Sequence, residues 1–287
     1  MADIVDAAER RRLITLLGPA YLWLLMAVFL PLSAMLFFSF LSGMPQDTPD
    51  WHVTLGNYAE FLTNPTYAAL MRKSLGLALT VTVLCIVIGY PCALVLAKSI
   101  KGRAREALFL MVILPFWSNS LVRIFSWAIV LRGNGVLERG LNAVLPWEVK
   151  LNLMFTPTAV VIGLVHSYLP YVILTSYLAL QAIDDDLIDA ARSMGASRLT
   201  ILRRLLLPLS LPGLLAGAVL VFVPVVGSFM EPRILGGRMG TYYGSVIEDQ
   251  FVAVYNWPLG AALSFILLAV VLVILALASP VLKRART

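Results

Sequence analysis

Apolar positions along the chain gather into six long runs, at roughly 14–41, 74–97, 107–131, 158–180, 209–230 and 258–282. A helix needs about 20 residues to cross the hydrocarbon layer of a bilayer. The pattern therefore predicts an all-α, polytopic membrane protein with about six transmembrane helices. The run at 209–230 follows Pro208 and contains Pro212 and Pro224. Proline is tolerated in a span where neighbours satisfy the freed backbone groups, so this run is the one most expected to kink. Between the fourth and fifth runs the pattern changes. Residues 181–208 are charged and follow a helical period.

Composition agrees with the pattern. Hydrophobic residues make up 60% of the chain and charged residues 13%, against about 25% charged in a soluble domain. The formal charge of +6 would suggest nucleic acid as a partner of a soluble protein. Here the basic residues sit in short segments between apolar runs, where they set topology and meet anionic headgroups of membrane lipid. Nucleic-acid binding is excluded on that ground. Basic residues cluster in segments 10–12, 98–105, 192–204 and 283–286 and are sparser in the alternate loops. This bias predicts both termini in the cytoplasm, an even number of spans, and one transmembrane domain over 1–287. The run beginning at Leu13 is too long for the apolar core of a cleaved signal peptide, so it is read as a retained first span. Cys85 and Cys92 lie seven positions apart in one run. About 10 Å of helical rise separates them, beyond disulfide reach.

Segment 181–208 is the most informative. Asp184, Asp185 and Asp186 offer N-cap oxygens and favourable charge at a helix start. Gly195 suits the left-handed residue just past a helix end. Ser197 can cap a second helix, Arg203 and Arg204 sit near its end, and Pro208 is expected to stop it. A helix–turn–helix on the cytoplasmic surface follows. It is either an interfacial hairpin with no partner or a docking element. Leu187, Ile188 and Ala191 give a small apolar face ringed by charge, and four aspartates oppose contact with an anionic leaflet. Both features favour docking in a partner's groove.

This segment resembles the signature loop of permease subunits in binding-protein-dependent ATP-binding-cassette importers. The family pattern is Glu-Ala-Ala, three residues, Gly, nine residues, Ile, one residue, Leu-Pro. Here Asp189-Ala190-Ala191, Gly195, Leu205 and Leu207-Pro208 stand at those spacings. Asp189 for Glu and Leu205 for Ile keep the chemical class. The resemblance implies that Asp189, Ala190, Ala191 and Gly195, with Arg192 and Met194, couple the chain to an ATP-binding subunit. Three further stretches are similar to permeases of the spermidine/putrescine type: Pro115 to Arg123, His166-Ser167-Tyr168-Leu169-Pro170-Tyr171, and Gly227 to Gly237. Gln250-Phe251 and Asn256-Trp257-Pro258-Leu259 fit the same group. Within that group the chain looks like the first of two paired permeases. The implied assembly is a heterodimer with a second permease subunit, two ATP-binding subunits and a periplasmic or extracellular solute-binding protein. Its place is the bacterial inner membrane, and its cargo a polyamine, or an opine or amino-acid-like amine. ATP and Mg would belong to the partner subunits, and no cofactor to this chain.

Polar residues within spans are costly and face protein or water. Arg123, His166 and Glu231 are all expected in the outer half of the membrane. They either line an outward cavity, with Glu231 attracting a cation, or form a structural network. Trp117, Trp127, Tyr168, Tyr171, Phe222 and Phe229 are candidates for cation–π contacts to an amine, with ordinary packing as the alternative. Gly213 and Gly217 give a small-xxx-small pattern, which implies close helix packing. Enzyme chemistry finds no support. The sequence has no phosphate-binding Gly-x-x-x-x-Gly-Lys loop, no nucleophile elbow and no metal-ligand spacing. The alternative from another class is an ion-driven secondary transporter, which would call for self-sufficiency and for ionisable residues and broken helices near the midplane; the runs offer little of either.

Overall fold

The structure, a computed structural model, describes residues 7–46 and 49–284. In chain order its helices are α1 (Ala7–Ser39), α2 (Gly56–Thr63), α3 (Pro65–Lys98), α4 (Arg103–Ile113), α5 (Ser120–Leu131), α6 (Val136–Val144), α7 (Pro157–Gln181), α8 (Asp185–Ser193), α9 (Arg198–Ile201), α10 (Leu207–Val226), α11 (Met230–Gly236), α12 (Tyr243–Val252) and α13 (Trp257–Arg284). Among the described residues there is no strand, only one antiparallel bridge between Leu41 and Val53. Among the described residues five helices are long and apolar enough to cross a membrane, and the pair α5 and α6, bent by 43°, can be counted as a sixth. The protein is all-α and polytopic. Of the terminal residues on which the predicted orientation leans, Arg286 lies outside the described residues.

The chain forms two compact units. The first takes in residues 1–64 and 249–266. From Thr15 to Ser39 its helix α1 is apolar and almost entirely uncovered, with Leu16, Tyr21 and Trp23 exposed. Such a helix has acyl chains or another protein as its solvent. Beyond α1, Ser42 N–H donates to His52 O at 3.0 Å and Thr54 N–H to Phe40 O at 2.7 Å. Asn57 Nδ2 donates to the carbonyls of Ser39 and Leu41 at 3.0 and 2.8 Å. These bonds satisfy a non-helical stretch that would otherwise leave polar backbone groups unpaired.

The second unit takes in residues 65–248 and 267–287 and is built on α3, α7 and α10. Val81, Cys85 and Ala93 of α3, Leu164 and Val172 of α7, and Val221 and Val225 of α10 are all buried. Lipid is as apolar as these side chains, so close packing of small residues has to hold such helices together. Gly213 and Gly217 on α10 provide it. A Cβ at Gly213 would meet Ala179 Cβ and would stand 2.7 Å from Thr175 O; one at Gly217 would stand 3.0 Å from Val172 Cα. The small-xxx-small pattern therefore joins α10 to α7 of the same chain. A buried polar link ties α3 to α10. Ser210 Oγ donates to Leu206 O at 2.6 Å, and Tyr90 OH lies 2.9 Å from Ser210 Oγ.

Two sequence expectations need correction. The run at 107–131 is not one helix: α4 ends in a 3₁₀ turn over Leu114–Trp117 before α5 begins. Pro115 brings no N–H to the helical ladder. Asn119 then restarts the helix, its side chain accepting from Leu121 N–H at 2.8 Å. Pro208 also fails to stop the helix that starts at Arg198. That helix widens into a π turn over Leu202–Leu206, where Leu207 N–H reaches back to Leu202 O, and runs on as α10. Pro208 stands at the start of α10, where its missing N–H and fixed φ are tolerated.

Candidate functional site

The charged segment folds as a capped hairpin between α7 and α10. Asp184 Oδ1 accepts from Asp186 N–H at 3.0 Å and opens α8. At the other end Ala196 N–H donates to Ala191 O at 3.0 Å and Gly195 N–H to Arg192 O at 2.9 Å. Gly195 has φ +82°. This is a Schellman ending, whose left-handed residue favours glycine. Ser197 Oγ then accepts from Thr200 N–H at 3.2 Å and opens α9. Each turn of the hairpin is thus fixed by its own local hydrogen bonds.

The faces of α8 divide differently from the sequence expectation. Ile188 is 7% exposed, and Ala191 packs half-buried against the same core. Leu187 and Met194, at 49% and 83% exposed, point outward with Ala190. The free apolar stripe is therefore Leu187, Ala190 and Met194, at spacings of three and four. Asp189 and Arg192 flank it and pair with each other at 2.9 Å. Between the end of α3 and the hairpin lies a cavity of about 540 Å³, whose charged lining is Lys98, Lys101, Asp185, Asp189, Arg192 and Arg198. Lys98 donates to Asp185 at 2.6 Å and holds that exposed carboxyl below the usual carboxylate range.

Of the polar and aromatic residues expected to line a pathway, three meet. Arg123 and Trp127 of α5 and His166 of α7 line a cavity of about 350 Å³. The Trp127 and His166 rings are edge-on with centroids 5.3 Å apart. Tyr168 and Tyr171 stack at 6.0 Å. Glu231 is buried at the start of α11. Trp117, 87% exposed, is not part of that cavity's lining. Phe222 lines a separate apolar groove with residues of α3 and α13. Phe229 precedes α11, its carbonyl accepting from Arg233 N–H at 2.9 Å.

Residues 89–286 match the family described as binding-protein-dependent transport system inner membrane component. The chain belongs to this family. The match runs from Gly89, in the second half of α3, through α13, and so includes α8 and α9. The chain is 38% identical over 255 residues to the spermidine/putrescine transport system permease protein PotB of Escherichia coli (strain K12), covering 89% of this chain and 90% of that one. It is 36% identical over 265 residues to PotB of Haemophilus influenzae, covering 91% and 92%. In fold it is similar to a bacterial ABC transporter involved in the import of alginate, with TM-score 0.76, 16% identity and 97% of each chain covered. This component is accordingly a transport permease of the inner membrane, crossing it several times.

Sequence reasoning passed over Lys98, which counted there only as one of the topology-setting charges. Nothing local links it to Asp185, 87 residues further on. A second residue passed over is Glu138. It is buried, and its Oε2 accepts from Asn134 N–H at 3.0 Å and Leu151 N–H at 3.2 Å, holding both ends of the loop around α6. An acidic residue in the first turn of a short amphipathic helix was the available signal.

Proposed function

We propose that this component forms the channel of an ATP-driven importer and carries a polyamine such as putrescine or spermidine into the cytoplasm by alternating access. Both termini would then lie in the cytoplasm, and the chain would act as one transmembrane domain paired with a second permease. The observation that carries the coupling role is the hairpin: α8 is fixed at both ends and holds Leu187, Ala190 and Met194 outward between charged residues. A short helix of this kind fits a groove in a partner. The partner that supplies motion is an ATP-binding subunit, which holds ATP and Mg. Asp189, Ala190, Ala191, Arg192, Met194 and Gly195 form the contact region, with Ala191 supporting it from behind. A solute-binding protein delivers the cargo from outside. Closure of two ATP-binding subunits displaces the hairpin, and the spans rock between two states.

The cargo assignment is supported by the likeness to PotB and by Glu231. Its carboxyl lies within electrostatic reach of Arg123 and Tyr168, and a carboxylate beside aromatic faces can meet an ammonium by charge and by cation–π contact. A deciding test is uptake of labelled spermidine and putrescine by the whole importer in proteoliposomes loaded with ATP. Uptake that needs ATP and competes between the two amines is expected. Preference for an opine or an amino-acid-like amine would move the cargo to a neighbouring class, and uptake by the chain alone without ATP would make it a secondary carrier.

Glu231→Gln is expected to lower diamine uptake roughly tenfold, the loss of one charged contact. Uptake of labelled putrescine by the same proteoliposomes checks this, and unchanged uptake in Glu231→Gln would count against the role.

A further inference from the structure

Lys98 ends α3. Its side chain is only 11% exposed although it carries a charge. Nζ donates to Ile183 O at 2.6 Å and to Asp185 Oδ1 at 2.6 Å. Ile183 lies just past the end of α7, and Asp185 is the first residue of α8. One ammonium thus gathers the end of α3, the end of α7 and the start of the hairpin. Each acceptor is suited to it. Carbonyls at a helix C-terminus carry negative partial charge, and a carboxylate–ammonium hydrogen bond is among the stronger kinds. Covalently the hairpin is joined to α7 and α10, and this contact adds a direct link to α3.

We infer that Lys98 is a positioning residue that ties the coupling hairpin to α3, so that displacement of the hairpin moves three spans together. The inference rests on the reading that an ATP-binding subunit displaces the hairpin. Its physical basis is the asymmetry of the pair. Lys98 is nearly buried, so a lost partner leaves a desolvated charge and not a hydrated one. The contact therefore resists breakage in a way that the exposed Arg192–Asp189 pair, open to water at both ends, does not.

The test uses the whole importer in proteoliposomes and measures solute taken up per ATP hydrolysed. Lys98→Met keeps the apolar stem and should lower this ratio roughly tenfold while hydrolysis continues, as for loss of a charged hydrogen bond. Asp185→Asn keeps the Ile183 bond and should lower it about threefold. The double variant should be no worse than Lys98→Met, because both single changes remove one shared contact. Lys98→Arg should restore most of the ratio. An unchanged ratio in the single variants of an intact complex would overturn the inference, and so would additive losses. Should Lys98→Met not reach the membrane, Asp185→Asn, with its carboxylate 63% exposed, reads the same contact. Failure of the underlying reading looks different: the unaltered chain would then recover no ATP-binding subunit.

Discussion

Gly195→Pro is expected to leave the protein inserted, leave ATP hydrolysis by its partners running, and reduce uptake to near background. Three features of the turn forbid proline. Gly195 sits at φ +82°, whereas the proline ring fixes φ near −65°. Its N–H donates to Arg192 O at 2.9 Å, and proline has no N–H. Met194, at φ −81° and ψ 6°, occupies a conformation that a following proline disfavours. The end of α8 must therefore re-form elsewhere, which turns Ala190 and Met194 away from the stripe they share with Leu187. No span is touched, so insertion should survive. Gly195→Ala separates strain from shape. A Cβ there meets nothing within 4 Å, so the cost is the left-handed backbone alone, about 1–2 kcal/mol. Partial uptake is expected from that variant. The measurement is uptake and hydrolysis on the same proteoliposomes, and normal uptake by Gly195→Pro would remove the hairpin from the coupling path.

Gly213→Leu should instead damage the fold. The Cβ alone would stand 2.7 Å from the backbone oxygen of Thr175 and would press on Ala179. A carbonyl within α7 cannot swing aside as a flexible side chain can, so α10 must move off α7. Overpacking of this kind costs typically 1–3 kcal/mol, and the large side chain places Gly213→Leu near or above the upper figure, ~3 kcal/mol. The lost contact also carries Gly217 and the Tyr90–Ser210 link with it. Thermal unfolding of the purified component in detergent should show a melting temperature several degrees lower. Gly76→Leu is the control: Gly76 is exposed on α3 with open space at its Cβ, so its melt should be unchanged. Equal losses in the two variants would mean that leucine harms this protein for reasons other than the α7–α10 approach.

The two variants mark the two ways in which the sequence is legible. Gly195 could be read from its neighbours because a helix cap is a local device. Asp184, Ser197 and Gly195 each satisfy backbone groups within a few residues, so spacing alone carries the message. The long apolar runs were legible for a similar reason, since bilayer thickness is a length criterion. The break at Leu114–Trp117 had its signals in plain view, Pro115 and Asn119, but an apolar run hides an interruption that costs it no hydropathy. From the sequence Pro208 reads as a stop, because proline ends most helices. A π turn supplied the alternative, and such turns have no dependable sequence mark.

Sequence by itself determined that this protein spans the membrane as helices, that a capped hairpin interrupts the spans, and which family its motifs resemble. Each of those rests on composition or on contacts a few residues apart. Tertiary structure decided which face of α8 is free, since Ile188 and Ala191 turn inward only because a core lies there to receive them. It decided that Gly213 and Gly217 serve contact within the chain, and that Arg123, Trp127 and His166 share one cavity while Phe222 lines another. It also brought Lys98 to Asp185. Partners separated by 87 residues meet only once α3 and α7 have packed, and no local pattern encodes which charges will then face each other.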